Sequence, residues 1–183
     1  MNALSRPPRW TSRDFPGGMP IAFAPNVWTR LAGTPDRLTA LAVRAEGASP
    51  ETTDSLGPGW SIAEQFGHLG DLEPLWLGRL DDFDAGESMR VADLSNRATT
   101  AAGHGTHSLD ELARRFAARR AELLRRTSTL LPSDWERSAV HPRLRSPMRL
   151  IDFMLFVAEH DDHHLAEIAW LMSHTGREAF DAT

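Results

Sequence analysis

The sequence predicts an all-α protein, an up-down four-helix bundle preceded by an irregular N-terminal arm. Three observations carry that expectation. Apolar residues recur at spacings of three and four in four separate stretches. Two of those stretches open on an S-x-x-E box, Ser61–Glu64 and Ser108–Glu111, the pattern of a reciprocally capped helix start. No window shows convincing strand alternation.

Residues 1–25 hold five prolines and the adjacent Gly17 and Gly18, which oppose regular structure. Trp10, Phe15, Ile21 and Phe23 suggest that this arm packs on the body. Helix one is expected over about 26–46, striped by Val27, Leu31, Leu38, Leu41 and Val43. Thr34-Pro35 reads as an N-cap followed by a first-position proline, so this helix is open to division into two pieces. A loop follows over 47–59.

Helix two starts at Ser61 and carries Ile62, Phe66, Leu69, Leu72, Trp76 and Leu80. Pro74 removes a donor and crowds the carbonyl of Gly70, predicting a kink or a break. Residues 87–107 are weakly patterned, a connection long enough to be functional. Helix three runs from Ser108 through Leu112, Phe116, Leu123 and Leu124 to Leu131, where Pro132 stops it. Another loop holds Asp134, Trp135 and Pro142. Helix four is expected from Ser146-Pro147 to about Gly176. The domain plan is then an arm over 1–25, a bundle over 26–176 and a tail over 177–183.

Composition narrows the chemistry. A formal charge of −5 leaves no basic footprint, so no nucleic-acid partner is expected. No apolar run is long enough to span a membrane, and no signal-peptide core is present, so the expected location is cytoplasmic. Cys and Tyr are absent, which excludes disulfides, thiolate ligands, a cysteine nucleophile and a tyrosine acid or base. Any metal must be held by His, Asp or Glu.

The informative stretch is Glu159-His160-Asp161-Asp162-His163-His164. His160 and His164 stand four apart, so their rings share one helix face and can converge on one ion. That face continues through Val157, Ile168 and Leu171, toward the bundle interior where such folds hold metals. Helix two offers His68 as a third ligand, inside an apolar run where an imidazole needs both nitrogens engaged. Glu64, Asp71 and Asp162 are the nearest candidates to orient a ligand or act as base.

Each residue has a plainer reading. An isolated H-x-x-x-H is often a solvated face, and a lone core histidine is often just hydrogen-bonded. His163 lies to one side of the pair. His104, His107, His141 and His174 read as loop or helix-end histidines. Asp161 and Asp162 read as exposed charges, Trp60 and Trp76 as core, and the two serines as caps.

The combination is more telling. The run Trp60-Ser61-Ile62-Ala63-Glu64-Gln65-Phe66-Gly67-His68-Leu69-Gly70-Asp71-Leu72-Glu73, followed by Arg79, resembles the WS-x-x-E-x-x-x-HL-x-D-x-E helix of the DinB-like family of YfiT type. The run from Glu159 to Ile168 resembles that family's last helix, an H-x-x-x-H with an Ile beyond it. The resemblance covers roughly residues 26–175.

It implies a four-helix bundle with a divalent metal ion, often Ni2+ or Zn2+, held by histidines at the positions of His68, His160 and His164. It implies a metal-dependent hydrolase, or a transferase that uses a low-molecular-weight thiol, acting on a small-molecule substrate, often as a homodimer. Pro74 departs from the pattern and bears on the pocket's shape. Three neutral ligands leave a coordination position open, which suits catalysis better than a closed structural site. The alternative is a non-enzymatic bundle stapled by metal, serving as a dimeric or small-molecule binding module.

Overall fold

The computed structural model describes residues 5–45 and 59–175. Most of the predicted 47–59 loop, the 177–183 tail and the helix end near Gly176 lie outside them. Helices α1 (Ala24–Ala32), α2 (Thr34–Arg44), α3 (Ile62–Asp71), α4 (Glu73–Ala85), α5 (Arg97–Ala101), α6 (Leu109–Thr127) and α7 (Leu150–Thr175) are joined by a hairpin of β1 (Ser138–His141) and β2 (Ser146–Arg149).

Four rods make the bundle: α1 with α2, α3 with α4, α6, and α7. The first two rods each pack against both α6 and α7. Neighbours in space are therefore not always neighbours in sequence, and the first and second rods sit diagonally across the bundle.

Two rods are interrupted for the reasons the sequence suggests. Gly33 ends α1 and Pro35 sits in the first turn of α2. Thr34 does not cap with its side chain; its hydroxyl donates to Asp161 at 2.8 Å. Between α3 and α4, Leu72 keeps helical angles, and the bonds Leu72 N→His68 O and Trp76 N→Leu72 O survive. Pro74 therefore marks a junction in the rod, beyond His68. The Ser61–Glu64 box is complete in both directions. At Ser108 the hydroxyl accepts from Glu111 N, whereas the Glu111 carboxylate bonds His107 and Arg115.

The core comes in two halves. One gathers Val27, Leu31, Trp76, Leu80, Leu123 and Ile151 to Ala158. The other gathers Leu38, Ile62, Phe66, Phe116, Leu165 and Ile168. In every rod a polar residue stands between the halves: Thr34, Glu73, Arg120 and Asp161, all with no solvent exposure.

Arg120 Nη1 lies 2.6 Å from Asp161 Oδ2, and Nη2 lies 2.7 Å from Glu73 Oε1. Burial opposes the Arg120 charge, but the two carboxylates outweigh it and hold its pKa above the usual value. Asp161, expected to be an exposed charge, is thus a buried partner. Its register on α7 turns it inward toward α6, and Arg120 is 41 positions away in sequence.

Three further expectations need correction. Strands do occur: β1 and β2 pair antiparallel, Ser138 against Arg149 and His141 against Ser146. Ser146 and Pro147 therefore belong to β2, and the last helix begins at Leu150. Helix α6 ends at Thr127, whose hydroxyl bonds back to Leu123 O, four residues before the expected Leu131.

The arm adopts two short 3₁₀ turns, Trp10–Ser12 and Ile21–Phe23. It is tied to α7 by Arg13 Nη2→Glu159 Oε2 at 2.7 Å and by Gly18 N and Met19 N donating to Asp152 Oδ1. Trp10, Phe15 and Ile21 pack on the core, whereas Phe23 is about half exposed, at 49%.

Candidate metal centre

Folding brings His68, on α3, against His160 and His164, on α7. All three are buried, and one ring nitrogen of each lies within 4.8 Å of the others. His160 Nε2 and His164 Nε2 are 3.1 Å apart. Two nitrogens about 2.0–2.1 Å from one tetrahedral ion stand roughly 3.3 Å apart, so the spacing fits a shared cation.

Hydrogen bonding on the far side of two rings assigns which nitrogen faces inward. Thr99 donates its hydroxyl to Asp71 Oδ2 at 3.1 Å and so accepts from His68 Nδ1 at 3.1 Å. His164 Nδ1 donates to Gln65 Oε1 at 2.6 Å. Both rings are left with an unprotonated Nε2 directed at the common point, the arrangement in which polar partners orient metal-binding imidazoles. The Nδ1 of His160 is buried without a hydrogen-bond partner among the described residues.

Burial pushes the His68 pKa down to about 4. It holds His160 and His164 well below the usual value, and the nearby histidines add to the effect. At neutral pH all three are uncharged, as a cation requires of its ligands.

Aromatic rings enclose the cluster. Trp60 lies 4.4 Å from the His68 ring, while Trp10 and Trp76 meet His160 edge-on at 5.1 and 5.5 Å. Trp76 is core, as expected, whereas Trp60 is half-buried and outside both core halves; both also wall the site. The histidines open into a cavity of 1030 Å³ lined by residues of the arm, α3, α4, the 91–100 segment, the hairpin turn and α7.

The other predicted residues fall in different places. Glu64 lines the cavity and its Oε2 accepts from Ser61 N. Asp71 reaches His68 only through Thr99. Asp162 does not line the cavity: Arg30 Nε donates to it at 2.8 Å and Arg37 Nη1 at 2.5 Å, so it serves neither as base nor as an imidazole partner. It faces α1 and α2 because it lies two positions from His160. His163 lines the cavity beside His164, ring to ring at 5.1 Å.

His104 and His141, expected to be unremarkable loop histidines, are both buried at the site. His104 Nε2 bonds Asp71 Oδ2 at 2.9 Å, and His141 lines the cavity. His107 and His174 remain peripheral, on Glu111 and on the Trp170 carbonyl.

Sequence reading missed Gln65, Thr99 and Arg120. Gln65 stands one turn before His68 on the same face, and Arg120 interrupts the stripe from Leu112 and Phe116 to Leu123; both were visible as polar residues on apolar faces. Thr99 carried no such signal.

A structure reported as "YfiT from Bacillus subtilis is a probable metal-dependent hydrolase with an unusual four-helix bundle topology" is similar, with a TM-score of 0.73 over 90% of this chain and 94% of that one, at 17% identity. That likeness extends to the fold. No curated protein matches the sequence. The model of the DinB superfamily matches residues 26–168, from α1 to the last turns of α7. With most of its bundle and all three clustered histidines inside that span, the chain belongs to the DinB superfamily.

Proposed function

We propose that the chain is a metal-dependent enzyme, a hydrolase or a transferase that uses a low-molecular-weight thiol, working on a small molecule in the 1030 Å³ cavity. The observation that carries this reading is the convergence of three neutral imidazoles at the wall of an open cavity. No fourth His, Asp or Glu joins the group among the described residues, which favours an open coordination position over a closed structural site.

A divalent ion, Ni2+ or Zn2+, would supply Lewis acidity and lower the pKa of a water or thiol brought to it. The chain's own residues hold the geometry. Gln65 fixes His164, and the Asp71–Thr99 pair fixes His68. Trp10, Trp60 and Trp76 keep bulk water from the rings. Glu64 lines the cavity and binds Ser61 N through Oε2, which leaves its other oxygen as the candidate to accept a proton from a nucleophile. Any thiol must come from outside, since the chain has no Cys.

The test begins with untagged protein and elemental analysis. One equivalent of metal is expected in the native chain and none in His160→Ala. Turnover on panels of esters, amides and thiol adducts should vanish on chelation and return with metal. Stoichiometric metal with no turnover on any of the three panels would favour the stapled binding module. Absence of metal would sink both readings.

A further inference from the structure

We infer that the end of the cavity lined by Arg79, His141 and Arg143 is a subsite for an anionic oxygen group, a carboxylate or a phosphate, on the molecule that occupies it. Arg79, on α4, lines the cavity and is only 2% exposed. Its Nε donates to the Arg90 carbonyl at 3.2 Å and its Nη1 lies 3.5 Å from His141 Nε2. No carboxylate lies within ion-pair distance of it among the described residues. Asp82, the carboxylate whose field it feels most, is gripped by Arg90 through both oxygens, at 2.8 and 3.1 Å.

Arg143, in the hairpin turn, lines the same end. Its Nη1 donates to Thr11 O at 3.4 Å, and its Nη2 is buried with no partner among the described residues. Burial and the neighbouring Arg143 lower Arg79 to about 10, and burial with both arginines lowers His141 to about 4. The two guanidiniums therefore concentrate positive potential in a partly dry site, beside a His141 ring that is neutral at pH 7. A buried guanidinium without a counter-charge is costly, and its fork is shaped for a bidentate oxyanion.

Among the described residues, no carboxylate that lines the cavity pairs with Arg79 or Arg143. Glu64 caps Ser61, Glu167 pairs with Arg6 at 3.1 Å, and Asp93 is exposed and bonded to Ser95.

Trp76 links this end to the histidines. Its ring lies 5.5 Å from the Arg79 guanidinium carbon and 5.5 Å from the His160 ring. One small molecule with an anionic head and an apolar middle lying along Trp76 and Phe156 can reach both ends. That second contact rests on the metal reading above; the arginine subsite does not.

Calorimetry with the full chain tests the subsite, using phenylacetate, phenylphosphonate and neutral phenylacetamide. The native protein should bind at least one of the anions about tenfold or more tighter than the amide, as one charge-assisted pair supplies. Arg143→Gln and Arg79→Gln should each cut that preference to roughly threefold or less, and His160→Ala should keep it. Which anion binds tighter separates carboxylate from phosphate. Should Arg79→Gln fail to fold, the half-exposed Arg143 carries the test. Equal or undetectable binding of the probes overturns the subsite, as does a preference unchanged in the arginine variants. A preference lost only in His160→Ala would place the anion on the metal and overturn it too. Elemental analysis of the same samples keeps the two readings apart: preference without metal rejects the metal centre alone, and metal without preference rejects the subsite alone.

Discussion

Thr99 Oγ1 stands 3.1 Å from His68 Nδ1, so a five-residue helix in a weakly patterned connection sets the tautomer of a candidate ligand. Thr99→Val keeps the shape and removes the relay to Asp71. Metal affinity should fall about 10- to 100-fold while the fold persists. Competition with a chromophoric chelator measures it, and affinity unchanged within a factor of two would show that the relay does not orient the ring.

Arg120 answers two buried carboxylates, and deleting it strands both. Arg120→Met should destabilise the chain by about 3–5 kcal/mol in urea denaturation. Replacing Glu73, Arg120 and Asp161 together with apolar residues of matched volume should cost far less, because the desolvation penalty leaves with the charges. Equal losses in the two variants would contradict this account.

Gly67 faces the ring of His104 so closely that an added Cβ would lie 2.3 Å from it. Gly67→Ala should push His104 off Asp71 and cost about 1–3 kcal/mol by overpacking. A lowered melting temperature is expected, and Gly67→Ala combined with His104→Ala should recover part of it.

Acid should loosen the metal-free protein through its histidines. His68, His141 and His163 each have a folded pKa near 4, pushed down first by burial, from an ordinary value of 6.5. As pH falls below 6.5 the unfolded chain takes up protons that the folded chain refuses, so stability drops from there to about pH 4. Above 6.5 these groups add no slope. Urea midpoints recorded from pH 4 to 8 in the presence of chelator should trace that bend, and a flat profile would mean the rings are hydrated.

Much of the fold was legible because its signals are local. The Ser61–Glu64 box, the apolar spacing and the prolines at 35 and 74 act within a turn or two, and each appears where its chemistry directs. The pair His160 and His164 was legible for the same reason. The hairpin was not, since four-residue strands containing Pro147 show no alternation to detect. Nor was the inward turn of Asp161, whose partner sits on another helix, or the arrival of His104 and His141 at the site from connections that only tertiary packing positions. For Asp161, His104 and His141 the meaning of the signal depends on residues far along the chain, whereas the hairpin and the early end of α6 at Thr127 are local features with weak sequence marks.

The arm has a consequence for biosynthesis. Trp10 and Arg13 leave the ribosome early, yet the surface they bind, Phe156, Glu159 and His160, is made nearly 150 residues later. The arm is made well before its partner surface and can dock only once that surface exists, at high loop-closure cost. Until the arm docks, the edge of the His160 ring that Trp10 meets stays bare, and the cavity lacks the wall that Trp10 supplies.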